Sequence, residues 1–130
     1  MKALLDTSVL IGRDAPRDLQ AAISVVSITE LHFGVLATSD PEERARRVAR
    51  LAAIEAAFNP LPVTVEVARV CGQLAAAVAR HGSQPRRRQM DLAIAATALV
   101  EGVPLITHND ADFRMIRDLV DVRHLSPTAG

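Results

Sequence analysis

Four stretches of this 130-residue chain set acids among apolar neighbours. Asp6 closes the apolar start of LLDTSVL and is followed by two hydroxyl residues, Thr7 and Ser8. Glu30 lies in SITELHFGV, Asp91 opens the Ala-rich part of MDLAIAATAL, and Asp110 and Asp112 fall in LITHNDADF. Carboxylates gathered in one place repel, by roughly 4 kcal/mol for two charges about 4 Å apart at an effective dielectric near 20. A divalent cation removes that cost. Oxygen-only ligands favour Mg2+ or Mn2+ over zinc, and no Cys/His spacing argues otherwise. Ser8 lacks a G-x-S-x-G context, which argues against a serine nucleophile. His32, His81, His108 and His124 are scattered and suit surface or packing positions better than general-base chemistry.

Short apolar β-compatible runs alternate with longer Ala-rich helical ones, the pattern of an α/β fold with a parallel central sheet flanked by helices. Lys2 to Leu5 is the expected first strand. Asp14, with Pro16 behind it, is the expected cap of a helix. Ser24 to Val26 is the expected second strand, and Ser27-Ile-Thr-Glu30 matches a capping box opening a helix through Thr38. Asp40 and Pro41 start another, ending at Phe58. Leu61 to Val63 is extended, Thr64 caps a helix that stops near Gly82, and Asp91 to Val100 is helical with Gly102 as its stop. The run 103–107 is the last strand, with Phe33 and Phe113 assigned to the core. No linker or repeat divides residues 1–130, which form a single domain with the last few residues as a tail.

In a parallel sheet, ligand sites lie beyond the C-terminal ends of the strands. Asp6 and the segment 107–112 both follow strand ends, while Glu30 and Asp91 are expected in the first turns of helices that begin at the same rim. The acids can therefore converge. Each also has a purely structural role open to it: Glu30 in its capping box, Asp91 against a helix dipole, Asp110 and Asp112 at the start of a short helix. Asp6 has no such local partner.

Composition narrows the function. Apolar residues make up 49% of the chain, yet Trp and Tyr are absent and Phe numbers three, so no aromatic platform for stacking bases is expected. Net charge is zero; affinity for nucleic acid must come from local clusters. Of 15 basic residues all but Lys2 are Arg, a bias that suits phosphate contacts but also follows from a GC-rich genome. The single cysteine, Cys71, fits a cytoplasmic protein, and the N-terminus is too short and too acidic for a signal peptide or membrane span.

LLDTSVLI, SITELHFGV, MDLAIAATAL and LITHNDADF occur in the order and at about the intervals of PIN-domain ribonucleases, and the chain resembles VapC toxins of VapBC toxin–antitoxin pairs over essentially its whole length. That resemblance implies a doubly wound parallel sheet, Mg2+- or Mn2+-dependent endoribonuclease activity, a homodimer with scope for a larger toxin–antitoxin assembly, and inhibition by a VapB-like antitoxin. Carried over by position, the metal-site acids are Asp6, Glu30 and Asp91. The fourth position falls within Thr107 to Phe113. Many relatives have an acid where this chain has Asn109, which leaves Asp112 as the fourth carboxylate and Asn109 as a neutral ligand or water-positioning group. Thr7, Ser8 and Thr107 are candidates for orienting the carboxylates.

RNA would be held by its backbone. Arg86, Arg87 and Arg88, just before Asp91, are the expected phosphate contacts; Arg44, Arg46, Arg47 and Arg50 are equally compatible with a solvated helix face. The stretch Val70 to Val78 is apolar enough to need burial on more than one face, and Ile28, Leu31, Val35 and Leu36 would line a groove for an antitoxin helix. A phosphoacceptor receiver domain would need paired acids after the first strand and a Lys after the last, and a dehalogenase-like phosphatase would need an Asp at Ser8. The competing reading of another class is a non-catalytic module that binds RNA or antitoxin, which would keep its function in an Asp6→Asn variant.

Overall fold

A computed structural model describes residues 2–12 and 20–126. The expected helix start at Asp14 and Pro16 lies outside the described residues. Four parallel strands, β1 (Lys2–Leu5), β2 (Gln20–Ala22), β3 (Leu105–Thr107) and β4 (Val122–His124), are arranged in the order β2-β1-β3-β4. Among the described residues five α-helices surround them: α1 (Thr7–Ile11), α2 (Val25–Ala37), α3 (Pro41–Ala57), α4 (Val65–Arg80) and α5 (Gln89–Glu101).

Alternation along the central strands explains why helices cover both faces. Leu4 and Leu105 point into one core with Leu74 of α4 and Leu92 and Ile94 of α5. Ala3, Leu5 and Ile106 point into the other, with Val9 of α1, Leu31 and Val35 of α2, and Leu51 and Ile54 of α3. A one-residue slip would exchange the two sets, so the register is strongly specified. Helix α5 is buried at Leu92 and from Ile94 through Ala98, which its small side chains permit.

Several helix ends follow local chemistry. The Asp40 and Thr64 side chains cap α3 and α4 by accepting from Glu42 N and Val67 N, and Gly102 ends α5 at φ +68, a conformation that favours glycine. The start of α2 differs from expectation. Its cap is Ser24, one turn before Ser27, and the Ser24 hydroxyl accepts from Val26 N at 3.0 Å. Ser24 thereby leaves the sheet, keeps one bridge to Leu61, and confines β2 to Gln20–Ala22. Phe33 is 73% exposed, a correction to its core assignment, whereas Phe113 is buried. Leu31 and Val35 also correct the expected groove, because both are spent inside the core.

The loop after β3 is tied to the residue that follows β4. Leu125 N donates to Thr107 O, and His108 Nδ1 meets Leu125 O at 2.5 Å. The other ring nitrogen, Nε2, is buried without a partner among the described residues and would lie 2.9 Å from a Cβ at Gly12. Gly12→Ala therefore forces the held ring to move. The expected loss is about 1–3 kcal/mol, seen as a drop in melting temperature of roughly 3–10 °C by circular dichroism.

Candidate active site

Asp6 directly follows β1 and precedes α1, at the C-terminal edge of the sheet. It is 5% exposed, and its Oδ2 accepts from Ser8 Oγ at 2.7 Å and Thr107 Oγ1 at 2.8 Å. Both hydroxyls accept from backbone N–H groups in turn: Ser8 from His108 at 3.1 Å and Thr107 from Asn109 at 2.9 Å. Two short relays thus converge on one oxygen of Asp6 and fix the carboxylate against the loop after β3.

Glu30 is held in a parallel way. Thr7 Oγ1 donates to Glu30 Oε1 at 2.6 Å and lies 2.9 Å from Ser27 Oγ. A threonine has a single hydroxyl proton and Glu30 takes it, so Ser27 is the donor to Thr7. Glu30 and Ser27 are therefore not a capping box. Starting α2 at Val25 places Ser27 in a buried position and carries Glu30 to the helix's second turn, facing α1.

Asp91 lies in the first turn of α5. Burial, followed by the charges of Asp6, Asp112 and Glu30, pushes its carboxyl up to about 6, against the pull of Arg88. Burial also raises Glu30; the Thr7 hydrogen bond opposes that rise and the charge of Asp6 adds to it. The four acids therefore share one field. Arg88 supplies the opposing charge, with Nη1 2.8 Å from Asp112 Oδ1 and 3.7 Å from Asp91 Oδ2. The turn Pro85–Arg88 that carries it precedes α5 and also presents exposed Arg86.

The loop after β3 separates its polar residues. Asn109 is exposed at the start of the 3-10 turn Asp110–Ile116, and Asp112 reaches Arg88. Asp110 faces away, pairing with Arg117 at 3.4 Å and His124 at 3.3 Å. Among the arginines of α3, Arg44 donates to Thr38 O at 2.6 Å, Arg46 pairs with Glu43 at 2.6 Å, and Arg47 links Glu43 at 3.0 Å to Gly34 O at 2.6 Å. The salt link from Arg88 to the acids was not visible in the sequence, although its position three residues before Asp91 permits it.

Oxygen donors of this kind suit Mg2+ or Mn2+. Among the described residues no three or more His, Cys, Asp or Glu side chains stand close enough together to hold a metal ion as a group. Mg2+ does not require such a group, since it binds through one or two carboxylates and retains several waters. A raised carboxyl on Asp91 also has a measurable consequence. The folded state holds that proton more tightly than the unfolded state, so stability falls as pH rises from about 3.8 to about 6 and stays lower above. Asp91→Asn should remove the penalty. Allowing for the quarter of the side chain that meets solvent, a gain of about 1 kcal/mol is expected, or roughly 3–6 °C in melting temperature at pH 7.5 without metal. Melts repeated toward pH 4 should show the difference closing; a constant difference would refute the raised carboxyl of Asp91.

The family model for the PIN domain matches residues 3–119. Ribonuclease VapC5 of Mycobacterium tuberculosis is 38% identical over 114 residues, 82% of each chain. Ribonuclease VapC4 of the same species is 33% identical over 125 residues, 91% of this chain and 93% of that one. The solved structure of VapBC-5 from M. tuberculosis, a member of the VapBC family of toxin–antitoxin systems, aligns with a TM-score of 0.81 at 34% identity, covering 96% of this chain and 98% of that one. VapBC2 from Rickettsia felis, 19% identical with a TM-score of 0.77 over 97% of this chain and 100% of that one, shares the fold. With its acids at the edge of a parallel sheet and these relatives spanning most of its length, this chain belongs to the PIN-domain family, in its VapC group.

Proposed function

We propose that this protein is the toxin of a toxin–antitoxin pair, an endoribonuclease that hydrolyses RNA phosphodiester bonds with Mg2+, for which Mn2+ substitutes. The observation that carries this reading is the gathering of Asp6, Glu30, Asp91 and Asp112 at one rim, where burial first and the charges of the other three acids next push Asp91 up to about 6. A divalent ion held by these acids would activate water and offset charge on the phosphate. The chain's own residues prepare the site. Ser8 and Thr107 orient Asp6, Thr7 orients Glu30, and Asn109 places a neutral amide at the rim. Arg86 supplies positive charge beside it, where about 360 Å3 of open space is lined by Glu30, Arg86, Gln89, Met90 and Asp91.

Regulation follows the relatives, whose solved structures are VapBC assemblies. A VapB-like antitoxin is the proposed partner. Phe33 and Leu36, 73% and 75% exposed on α2, give it an apolar surface in place of the groove expected at Leu31 and Val35. A homodimer is proposed in addition, with light scattering at micromolar concentration as its check. Among the described residues no helix is long and apolar enough to cross a membrane, and a cytoplasmic site of action suits an RNA substrate.

Incubation of the purified chain with a pool of single-stranded and structured RNAs tests the activity. Cleavage should appear with Mg2+ or Mn2+ and cease in a chelator. Intact RNA under all of these conditions would instead favour the non-catalytic binding module.

A further inference from the structure

The arginines of α3 have separate fates. Arg44, Arg46 and Arg47 are engaged by Thr38 O, Glu43 and Gly34 O. Arg50 is half-buried and pairs with no carboxylate among the described residues. It borders a cavity of about 250 Å3 whose other walls are Ile11, Glu30, Leu31, Gly34 and the paired Glu43 and Arg47. Glu30 also borders the open space beside Arg86 and Asp91. This acid is therefore shared by the space that Arg86 lines and the cavity that Arg50 lines.

A site built from four carboxylates repels the polyanion it must hold. Binding energy has to come from cations placed to either side. We propose that Arg50 and its cavity form a phosphate subsite for the nucleotide next to the cleaved linkage, so that the RNA strand runs from Arg86 across the acids to Arg50. The guanidinium can bind phosphate oxygens in a bidentate manner. Ile11, an exposed side chain, offers an apolar wall to the attached sugar or base. At Gly34 nothing lies within 4 Å of where a Cβ would stand, so the wall is bare at that point. This inference rests on the ribonuclease reading.

The test is fluorescence anisotropy of a labelled eight-nucleotide single-stranded RNA, without divalent metal so that no strand is cut. Arg50→Gln is expected to weaken binding by about 5–10-fold and to flatten the dependence of log affinity on log salt by about 0.7, as loss of one single-strand phosphate contact requires. Gly34→Leu should fill the cavity without disturbing the helix and weaken binding to a similar degree. Arg44→Gln, whose guanidinium is engaged at Thr38 O, should change it less than about two-fold. An Arg50→Gln protein that binds like the parent, or an Arg44→Gln protein equally impaired, overturns the subsite. A parent that binds no RNA here overturns the subsite alone, whereas the ribonuclease reading falls only if RNA also stays intact in the cleavage assay with Mg2+ or Mn2+.

Discussion

Asp6→Asn is expected to lower RNA cleavage by about 100–1000-fold, the scale on which a site loses a charge aimed at its reacting groups. The substitution is close to isosteric. The amide oxygen can still accept from Ser8 and Thr107, so the two relays and the edge of β1 persist, and removal of one negative charge from beside Asp91 relieves repulsion. Circular dichroism should therefore show an intact fold. Calorimetric titration with Mg2+ should lose its binding heat, and the rise in melting temperature that metal gives the parent by linkage should shrink with it. Parent-like metal binding and cleavage would sink the assignment of Asp6, and with it the reading of this rim as a metal site.

The three polar residues after β3 should separate in function. Asp112→Ala is expected to reduce cleavage by about 10–100-fold, because its carboxylate faces Arg88 and adds to the field on Asp91. Asn109→Ala should have a moderate effect, since its neutral side chain is exposed at the mouth of the turn. Asp110→Ala should matter least to cleavage: its carboxylate is engaged with Arg117 and His124 on the far side. Rates measured at matched Mg2+ and RNA concentrations decide the order. If Asp110→Ala is the most damaging of the three, the loop presents a different acid to the rim.

Residues that act through their own backbone neighbourhood were legible in the sequence. Asp40, Thr64 and Gly102 stop and start helices by local hydrogen bonding or φ preference, and each does so in the structure. The placement of acids after strand ends was legible for a similar reason, because parallel topology dictates which edge they share. What escaped depended on contacts far along the chain. Ser24 and Ser27 are both good cap residues, and the choice between them is settled by Leu61 pairing with Ser24 and by Thr7 meeting Ser27. Strand β4 has one buried residue in three, too little alternation to mark it, and pairing with β3 defines it. Phe33 lies on the outer side of α2, a side that local hydrophobicity cannot distinguish from the inner one.

Thr107 and Asp6, which share a hydrogen bond, are 101 residues apart. The first strand lies inside the sheet and finishes its pairing with a strand made about a hundred residues later. A chain still emerging from the ribosome thus displays Asp6 and Glu30 without the loop that orients one and the helix that completes the set. Such long-range closure slows folding relative to local contacts. For an enzyme that would attack RNA, the timing is protective: a truncated or half-made product has no assembled site, and the destructive chemistry is withheld from the messenger and ribosome that are producing it.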